Sequence, residues 1–452
     1  MTGFRVLAVD MGATSIRVAA VDLAAPEPAV EIVHRWQNTP VEDSEGHLRW
    51  DWPRILENVH LGLQKGLDTG PVSSIGIDGW GVDYGLLDGA GDLLDLPYAY
   101  HDGRTAGWEA TAAKIGVGQL YATTGIQLMG LNTIFQLAAD STDRLDSART
   151  ILLLPDLLAN HLTGWVGCER SNMSTTGLMD VRTRDWSDLL IESIGAPRGL
   201  FPEPADAGRV IGSWRRIPVS LVGSHDTASA FLGVPYDPDA QAVFVSAGSW
   251  VIVGVDRTAP DTTESARSLN FSNEVGALGG VRFLKNVVGF WILEQCRVAW
   301  GNPPIDDLIR LASAVDDEVP VFDAGDHGLV GAKDIVGEIA QATGLTADSP
   351  RAVIVRSVIE SIVGGVVQVI DEVAKVTGQH PERIHLVGGG SRIPLLGEVL
   401  RNRSGLAVIA GSPEATALGN AVVQGVARGM FASAEQARAW LSPSMQPIER
   451  TS

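Results

Sequence analysis

The chain has 452 residues, too many for one typical hydrophobic core, so two domains are expected. Hydrophobic residues make up 45% and charged residues 19%, the balance of a soluble globular protein. The formal net charge of -20 argues against a nucleic-acid partner, and any anionic ligand must be held by local features such as aimed amides, a metal or a few cations.

Val6-Leu-Ala-Val-Asp10-Met-Gly-Ala-Thr-Ser-Ile-Arg17-Val-Ala-Ala-Val-Asp22 reads as strand, tight polar turn, strand. Asp10 ends an apolar strand, where a carboxylate is costly unless it meets water, a cation or a metal. It is a candidate to hold Mg²⁺ through water. Ala13, Thr14, Ser15, Ile16 and Arg17 form the turn. Its amides and hydroxyls suit a phosphate, and Arg17 suits transition-state charge. The competing reading is a plain hairpin with a polar turn. Neither GxGxxG nor GxxxxGK[ST] occurs, so neither a Rossmann nor a P-loop site is suggested. The run before Asp10 is too short for a signal peptide or membrane span, and no other stretch reads as membrane-crossing. Cys168 and Cys296 sit in no CxxC pair, which fits a reducing, cytoplasmic setting.

Glu31 to Trp36 reads as a strand, and Trp52 to Gly66 has helical spacing through Ile55, Val59 and Leu63. Ser74 to Ile77 is a short buried strand that delivers Asp78-Gly-Trp80-Gly81-Val-Asp83. Glycines there let a ligand approach the backbone and Trp80 can stack on a sugar face; the alternative is a turn with a packing Trp. Tyr84 to Leu87 returns as a strand. Asp102 and Arg104 offer opposite charges that a surface ion pair would equally explain, and helix is expected over Ile151 to Leu162.

Val219 to Val222 is a strand opening through Gly223-Ser-His225-Asp226-Thr227 into a helix, the location ligands favour in α/β sheets. Asp226 can accept a proton from a substrate hydroxyl and His225 can bond a sugar hydroxyl; alternatively Asp226 or Thr227 is only a helix cap. A Pro-rich loop places a domain boundary near residue 238, giving domains 1–238 and 239–452. Ala242 to Gly254 then repeats the first hairpin, with Gly248 and Ser249 in the turn. Asn286 is a ligand contact or a helix cap. Arg351 to Lys375 is a long helix candidate. The strand Ile384 to Val387 feeds Gly388, Gly389 and Gly390, which permit close backbone contact with a base or its phosphates. Pro394 to Arg401 is a helix, Ala407 to Ile409 a strand, and Glu414 to Arg428 a small-residue helix whose safer reading is close packing.

These segments together resemble the FGGY carbohydrate-kinase family nearly end to end. The most specific pieces are Ser74 to Asp83, Ser224 to Ser229, Leu284-Lys-Asn286 with Gly289 and Trp291, Val387 to Gly390, and Pro413-Glu-Ala415 with Leu418 to Asn420. The resemblance implies an α/β fold of two ribonuclease-H-like (actin-like ATPase) domains with a cleft between them. It implies ATP and Mg²⁺, and transfer of the γ-phosphoryl group to the C1 hydroxyl of a ketose, L-rhamnulose first, with L-fuculose or L-xylulose as alternatives. Asp226 would be the base. Trp80, Gly81, His225, Thr227 and Asn286 would contact sugar, and Ala13 to Arg17, Ser249 and Gly388 to Gly390 would contact ATP. Ile16 stands where relatives often carry Gly, placing bulk in the phosphate turn. Ser249 stands for Thr, Glu294 for a nucleotide-contacting Gln, Gly79 for Thr and His101 for Arg. Neither nucleic acid nor membrane is expected as a partner, and the state is a monomer or homodimer. The different-class alternative is a non-catalytic nucleotide-binding module of actin or chaperone type.

Overall fold

A computed structural model describes residues 3–234, 241–324, 334–441 and 446–447, so the boundary expected at residue 238 lies outside the described residues. The chain divides into two units. The first comprises Met1–Tyr236, Asp256–Phe283 and Ala415–Pro443, and the second Asp237–Val255, Leu284–Glu414 and Ser444–Ser452. The strands that frame them are β1 (Arg5–Met11), β2 (Ser15–Asp22), β3 (Val30–Gln37), β4 (Ser74–Gly79), β5 (Arg209–Trp214), β6 (Ile217–Leu221), β7 (Ala242–Ala247), β8 (Trp250–Arg257), β9 (Val281–Val288), β10 (Arg383–Val387) and β11 (Ala407–Ala410). The helices that matter are α1 (Trp52–Asp68), α2 (Leu154–Thr163), α3 (Asp226–Leu232), α4 (Trp291–Ala299), α5 (Arg351–Thr377) and α6 (Ala415–Ala427).

The sheet of the first unit runs β5-β6-β4-β1-β2-β3. β1 pairs antiparallel with β2 and parallel with β4. Alternate residues of β1 face opposite ways. Leu7, Val9 and Met11 join Ile55, Val59 and Leu63 of α1 in one core. Val6 joins Val222, Ala421 and Val422 in another, while Ala8 meets Ala417. Asp10, two residues past Ala8, is on the side covered by α6. Helices on both faces explain why β1 is apolar from Val6 to Met11 except at Asp10.

The second unit repeats the plan. Its strands follow the order β9-β8-β7-β10-β11, with β7 antiparallel to β8 and parallel to β10. The first unit shows β3-β2-β1-β4-β6 in the same sense. The duplicated hairpin is therefore the start of a duplicated sheet.

Two expectations need correction. Ile151 to Leu162 is not one helix: Thr150–Leu153 is a strand paired with Tyr84–Leu87, and α2 begins at Leu154. Pro155 has no amide hydrogen and is suited to a first helical turn, so the helix starts beside it. Among the described residues one helix, α5, is long and apolar enough to cross a membrane, and 61% of its most apolar stretch is buried, as in the core helix of a globular protein.

α6 lies against α3 through glycines. A Cβ on Gly419 would fall within the van der Waals shell of Ser229 O, and one on Gly233 within that of Ala415 O. The small-residue run is thus close packing, and it brings α6 onto the helix that starts at Asp226. In an open helix Gly→Ala stabilises by about 1 kcal/mol. Here Gly419→Ala must push backbone apart, and a loss of roughly 1–3 kcal/mol is expected in chemical denaturation. A gain in stability would contradict the packing described.

Candidate functional site

In the first unit, Asp10 stands opposite Arg17 across the hairpin. Arg17 Nε and Nη2 donate to Asp10 Oδ2 at 2.7 and 2.6 Å. On the other side the parallel register sets Asp10 level with Asp78 of β4. Asp78 is fully buried. Its Oδ2 accepts from Asn420 Nδ2 of α6 at 2.8 Å, whereas Oδ1 has no hydrogen-bond partner. Ser229 lies beside it, but that hydroxyl is committed to Gly223 O at 2.9 Å. Burial, then the charge of Asp10, pushes Asp78 well above the usual carboxylate range, and the charge of Asp226 adds to this. Sequence reasoning passed over Asp78 as a site residue. The signal was its register with Asp10, which only the sheet reveals.

The turn after β1 is held by Asn38, whose backbone N–H donates to Thr14 O at 3.0 Å and whose side-chain amide donates to Ala13 O at 3.3 Å. A Cβ on Gly12 would sit 2.6 Å from Ser15 O, so the turn requires glycine there. Thr14 is exposed, Ala13 and Ser15 are partly buried, and Arg17 is 22% exposed at its side chain. Ile16 corrects an expectation: its side chain is fully buried in the β1–α1 core, so its bulk leaves the turn.

Asp83 organises the segment after β4. It accepts from Trp50 Nε1 at 2.6 Å, Trp80 Nε1 at 2.9 Å, Gln136 Nε2 at 3.0 Å and Tyr100 N at 3.2 Å. Trp80 is 6% exposed and its ring lies 4.6 Å from that of Trp50. Gly81 sits where a Cβ would come 2.8 Å from Thr175 Oγ1. Val82 has φ +69°, rare for a β-branched residue; its N–H donates to Thr175 Oγ1 at 3.2 Å and its carbonyl accepts from Thr133 Oγ1 at 2.7 Å.

The loop after β6 carries His225 as the residue capping α3 and Asp226 in its first turn. Asp226 is 28% exposed at its side chain, and Oδ1 accepts from Thr227 Oγ1 at 3.1 Å. His225 Nε2 lies 3.6 Å from Asp226 Oδ1. The other ring nitrogen lies 3.2 Å from both Arg282 Nη2 and Glu274 Oε2. Glu274 and Arg282 are themselves paired at 3.0 Å and buried. Burial raises the Glu274 carboxyl, but the charge of Arg282 and the contact with His225 outweigh it and hold it below its usual value. No local motif announces Glu274 or Arg282; they arrive from a strand pair far along the chain. Asp102 and Arg104 are not a surface ion pair. Asp102 accepts from Leu48 N and Arg104 N, while Arg104 binds Asp140 at 2.8 Å, and both are largely buried.

The second unit carries the remaining residues. The Gly248–Ser249 turn between β7 and β8 is fixed by two carbonyls: Gly248 O accepts from Phe290 N and Ser249 O from Trp291 N, each at 3.1 Å. Gly289 permits this approach, since a Cβ there would lie 2.7 Å from Trp250 C. Asn286 is on β9, half buried, and is not a helix cap. Gly388 follows β10 with φ +80°, and Gly390 packs where a Cβ would meet Ala247 Cβ at 2.5 Å. Gly389 has open space at its Cα. Glu294 on α4 is clasped by Arg297 at 2.6 and 2.7 Å, which neutralises the added negative charge.

Two family models match this chain: the N-terminal domain of the FGGY family of carbohydrate kinases over residues 5–233, and its C-terminal domain over residues 243–428. The chain belongs to the FGGY family of carbohydrate kinases. A rhamnulokinase from Bacteroides thetaiotaomicron is 34% identical over 440 residues, covering 93% of this chain and 90% of that protein. Among solved structures, ligand-bound xylulose kinase from Lactobacillus acidophilus has a TM-score of 0.78 at 16% identity, covering 98% of this chain and 92% of that one. Plasmodium falciparum glycerol kinase with ADP also has a TM-score of 0.78, at 16% identity, covering 98% and 94%. The protein is thus an FGGY carbohydrate kinase with the actin-like ATPase fold.

Burial pushes Asp83 up to about 6, against the hydrogen bonds from Gln136, Trp50, Trp80 and Tyr100 that favour its charge. The folded state therefore holds this proton more tightly than the unfolded chain, whose value is 3.8. Keeping Asp83 ionised at pH 7 costs about 3 kcal/mol, and its part of the stability rises as pH falls through 6 towards 4. Asp83→Asn should remove that part of the pH dependence. Measured from pH 7.5 to 5, the unfolding free energy of wild type should rise relative to that of the variant as pH falls; strictly parallel curves would contradict the assignment.

Proposed function

We propose that this FGGY kinase transfers the γ-phosphoryl group of ATP to the C1 hydroxyl of L-rhamnulose. The observation that carries the reading is Asp226: a partly open carboxylate at the start of α3, beside His225, whose far nitrogen meets the buried Glu274–Arg282 pair. The rhamnulokinase likeness supports the choice of sugar. Phosphoryl transfer needs positioning and charge stabilisation more than covalent chemistry.

In this reading Asp226 takes the proton from the sugar hydroxyl as its oxygen attacks phosphorus. His225, Thr227, Trp80, Gly81 and Asn286 bind the ketose; for Trp80 the contact is an edge, since its face is packed. Ala13 to Arg17, Ser249 and Gly388 to Gly390 bind ATP, Ile16 through its backbone only. In this reading residues 1–238 supply the phosphate contacts and most of the sugar contacts, and 239–452 supply Asn286 to the sugar and Ser249 with Gly388 to Gly390 to the nucleotide. A hard cation suits the carboxylates at 10, 78 and 226, because Asp78 Oδ1 is buried without a partner. Asp10 would hold Mg²⁺ through water, and the ion would offset charge on the phosphates. Among the described residues no group of three or more His, Cys, Asp or Glu side chains is placed to hold a metal directly. Both cysteines are free and buried, which supports a reducing, cytoplasmic setting.

A panel of ketoses with ATP tests the substrate. L-rhamnulose should drive ADP release, with phosphate at C1 by NMR; preference for another ketose, or none, overturns the assignment. Asp226→Asn should lower kcat by ~10²–10⁴-fold and leave sugar binding by calorimetry nearly intact. Wild-type turnover in that variant would remove Asp226 as the base.

A further inference from the structure

Glu169 is 1% exposed and lies outside the hairpins, the segment after β4 and the loop after β6. Five donors converge on its Oε2. Ser171 N and Asn172 N reach it at 2.9 and 3.3 Å, and Ser171 Oγ makes a short bond. Ser224 N and Ser224 Oγ reach it at 2.9 and 3.2 Å. The first two bonds cap the short helix Arg170–Met173. The bonds to Ser224 do something a cap does not require: they tie that helix to a loop 55 residues away, immediately before His225 and Asp226.

Two further backbone groups of this loop are held by the same helix. Ser224 O accepts from Gly79 N at 2.9 Å and from Asn172 Nδ2 at 3.3 Å. His225 N donates to Ser171 Oγ at 3.2 Å, and that hydroxyl is itself bound to Glu169. The peptide leading into Asp226 therefore hangs on one buried carboxylate and the residues around it. Five donors aimed at one oxygen favour the charged form, because charge-assisted hydrogen bonds are shorter and roughly twice as strong as neutral ones, although burial outweighs them and leaves the carboxyl above its usual value. Near Glu169, Asp156 Oδ2 accepts from Glu169 N at 3.2 Å, so a second buried acid fixes the backbone of the first.

We propose that Glu169 is a positioning residue for phosphoryl transfer: through Ser224 its carboxylate sets the direction in which His225 and Asp226 meet the sugar. The inference rests on Asp226 being the base. Catalytic geometry is sensitive to shifts of an ångström or less, so a relaxed loop should slow chemistry more than it weakens ATP binding.

Steady-state kinetics on the full chain with ATP and the ketose that turns over provide the test, using Glu169→Gln alone and combined with Asp226→Asn. The amide keeps the side chain's shape and loses the anion. Glu169→Gln should lower kcat by ~10-fold or more while KM for ATP stays within about twofold. On the residual turnover of Asp226→Asn the same change should have little further effect, since it acts through that carboxylate. Amide exchange at Ser224 and His225 should accelerate, a readout independent of activity. Unchanged kcat, an equal fold-loss in both backgrounds, or unchanged exchange overturns the inference. If Glu169→Gln does not fold, Ser224→Ala removes one of the five donors and carries the same readouts with a smaller loss. A wild type that phosphorylates no ketose, or an Asp226→Asn variant with full turnover, instead refutes the assigned base, so the two failures are separable.

Discussion

The arrangement depends on two carboxylates carried at one level on neighbouring parallel strands. Nothing in an apolar strand favours an acid, and a pair of them in register is doubly unfavourable, through lost hydration and mutual repulsion. The structure answers with a partner for each. Arg17 comes from the adjacent strand of the hairpin, and Asn420 comes from α6, far along the chain. Asp78 keeps one oxygen without a partner and takes the rest of the strain as a raised proton affinity. A pair of acids in such a place suits a cation, not an anion.

Close helix packing serves the same end. α6 approaches α3 through Gly419 and Gly233, and it brings Asn420 to Asp78 and Gln424 Nε2 to Leu7 O. A Cβ on Gly76 of β4 would also overlap Asn420 and Gln424. Small residues in this helix are therefore needed for reach: bulk at these points would lift the amide off the carboxylate it satisfies. Packing, electrostatics and the start of α3 are one constraint seen from three sides.

Much of the architecture was legible because it is local. β-branched apolar runs around a glycine turn marked both hairpins, and a strand opening through Ser-His-Asp-Thr marked the start of α3. What stayed hidden was non-local. Asp78 joined the candidate site only through sheet register, and Glu169, Glu274 and Arg282 reach their partners across 55 residues or across separate strands. Arg17 looked like a ligand for phosphate, yet it first meets Asp10; both roles use the same charge. Ile16 was misplaced because turn position says little about side-chain direction, whereas strand alternation sends it into the core. The helix over Ile151 to Leu162 failed where a buried strand and a buried helix share one apolar run, and Pro155 was the usable boundary.

Accessibility separates the three acids. At the side chain Asp10 is 2% exposed and Asp226 is 28% exposed, while Asp78 is fully buried. A base must touch the hydroxyl it deprotonates, so neither Asp10 nor Asp78 qualifies without moving the sheet. Asp226 is placed instead on the first turn of a helix, where the backbone N–H groups favour an anion. The loop that delivers it is fastened on both flanks. Glu169 and Asn172 hold Ser224, and Glu274 with Arg282 meets His225. The fold thus buries two acids and leaves a third partly open, and the buried groups around the loop hold the backbone that carries that third acid.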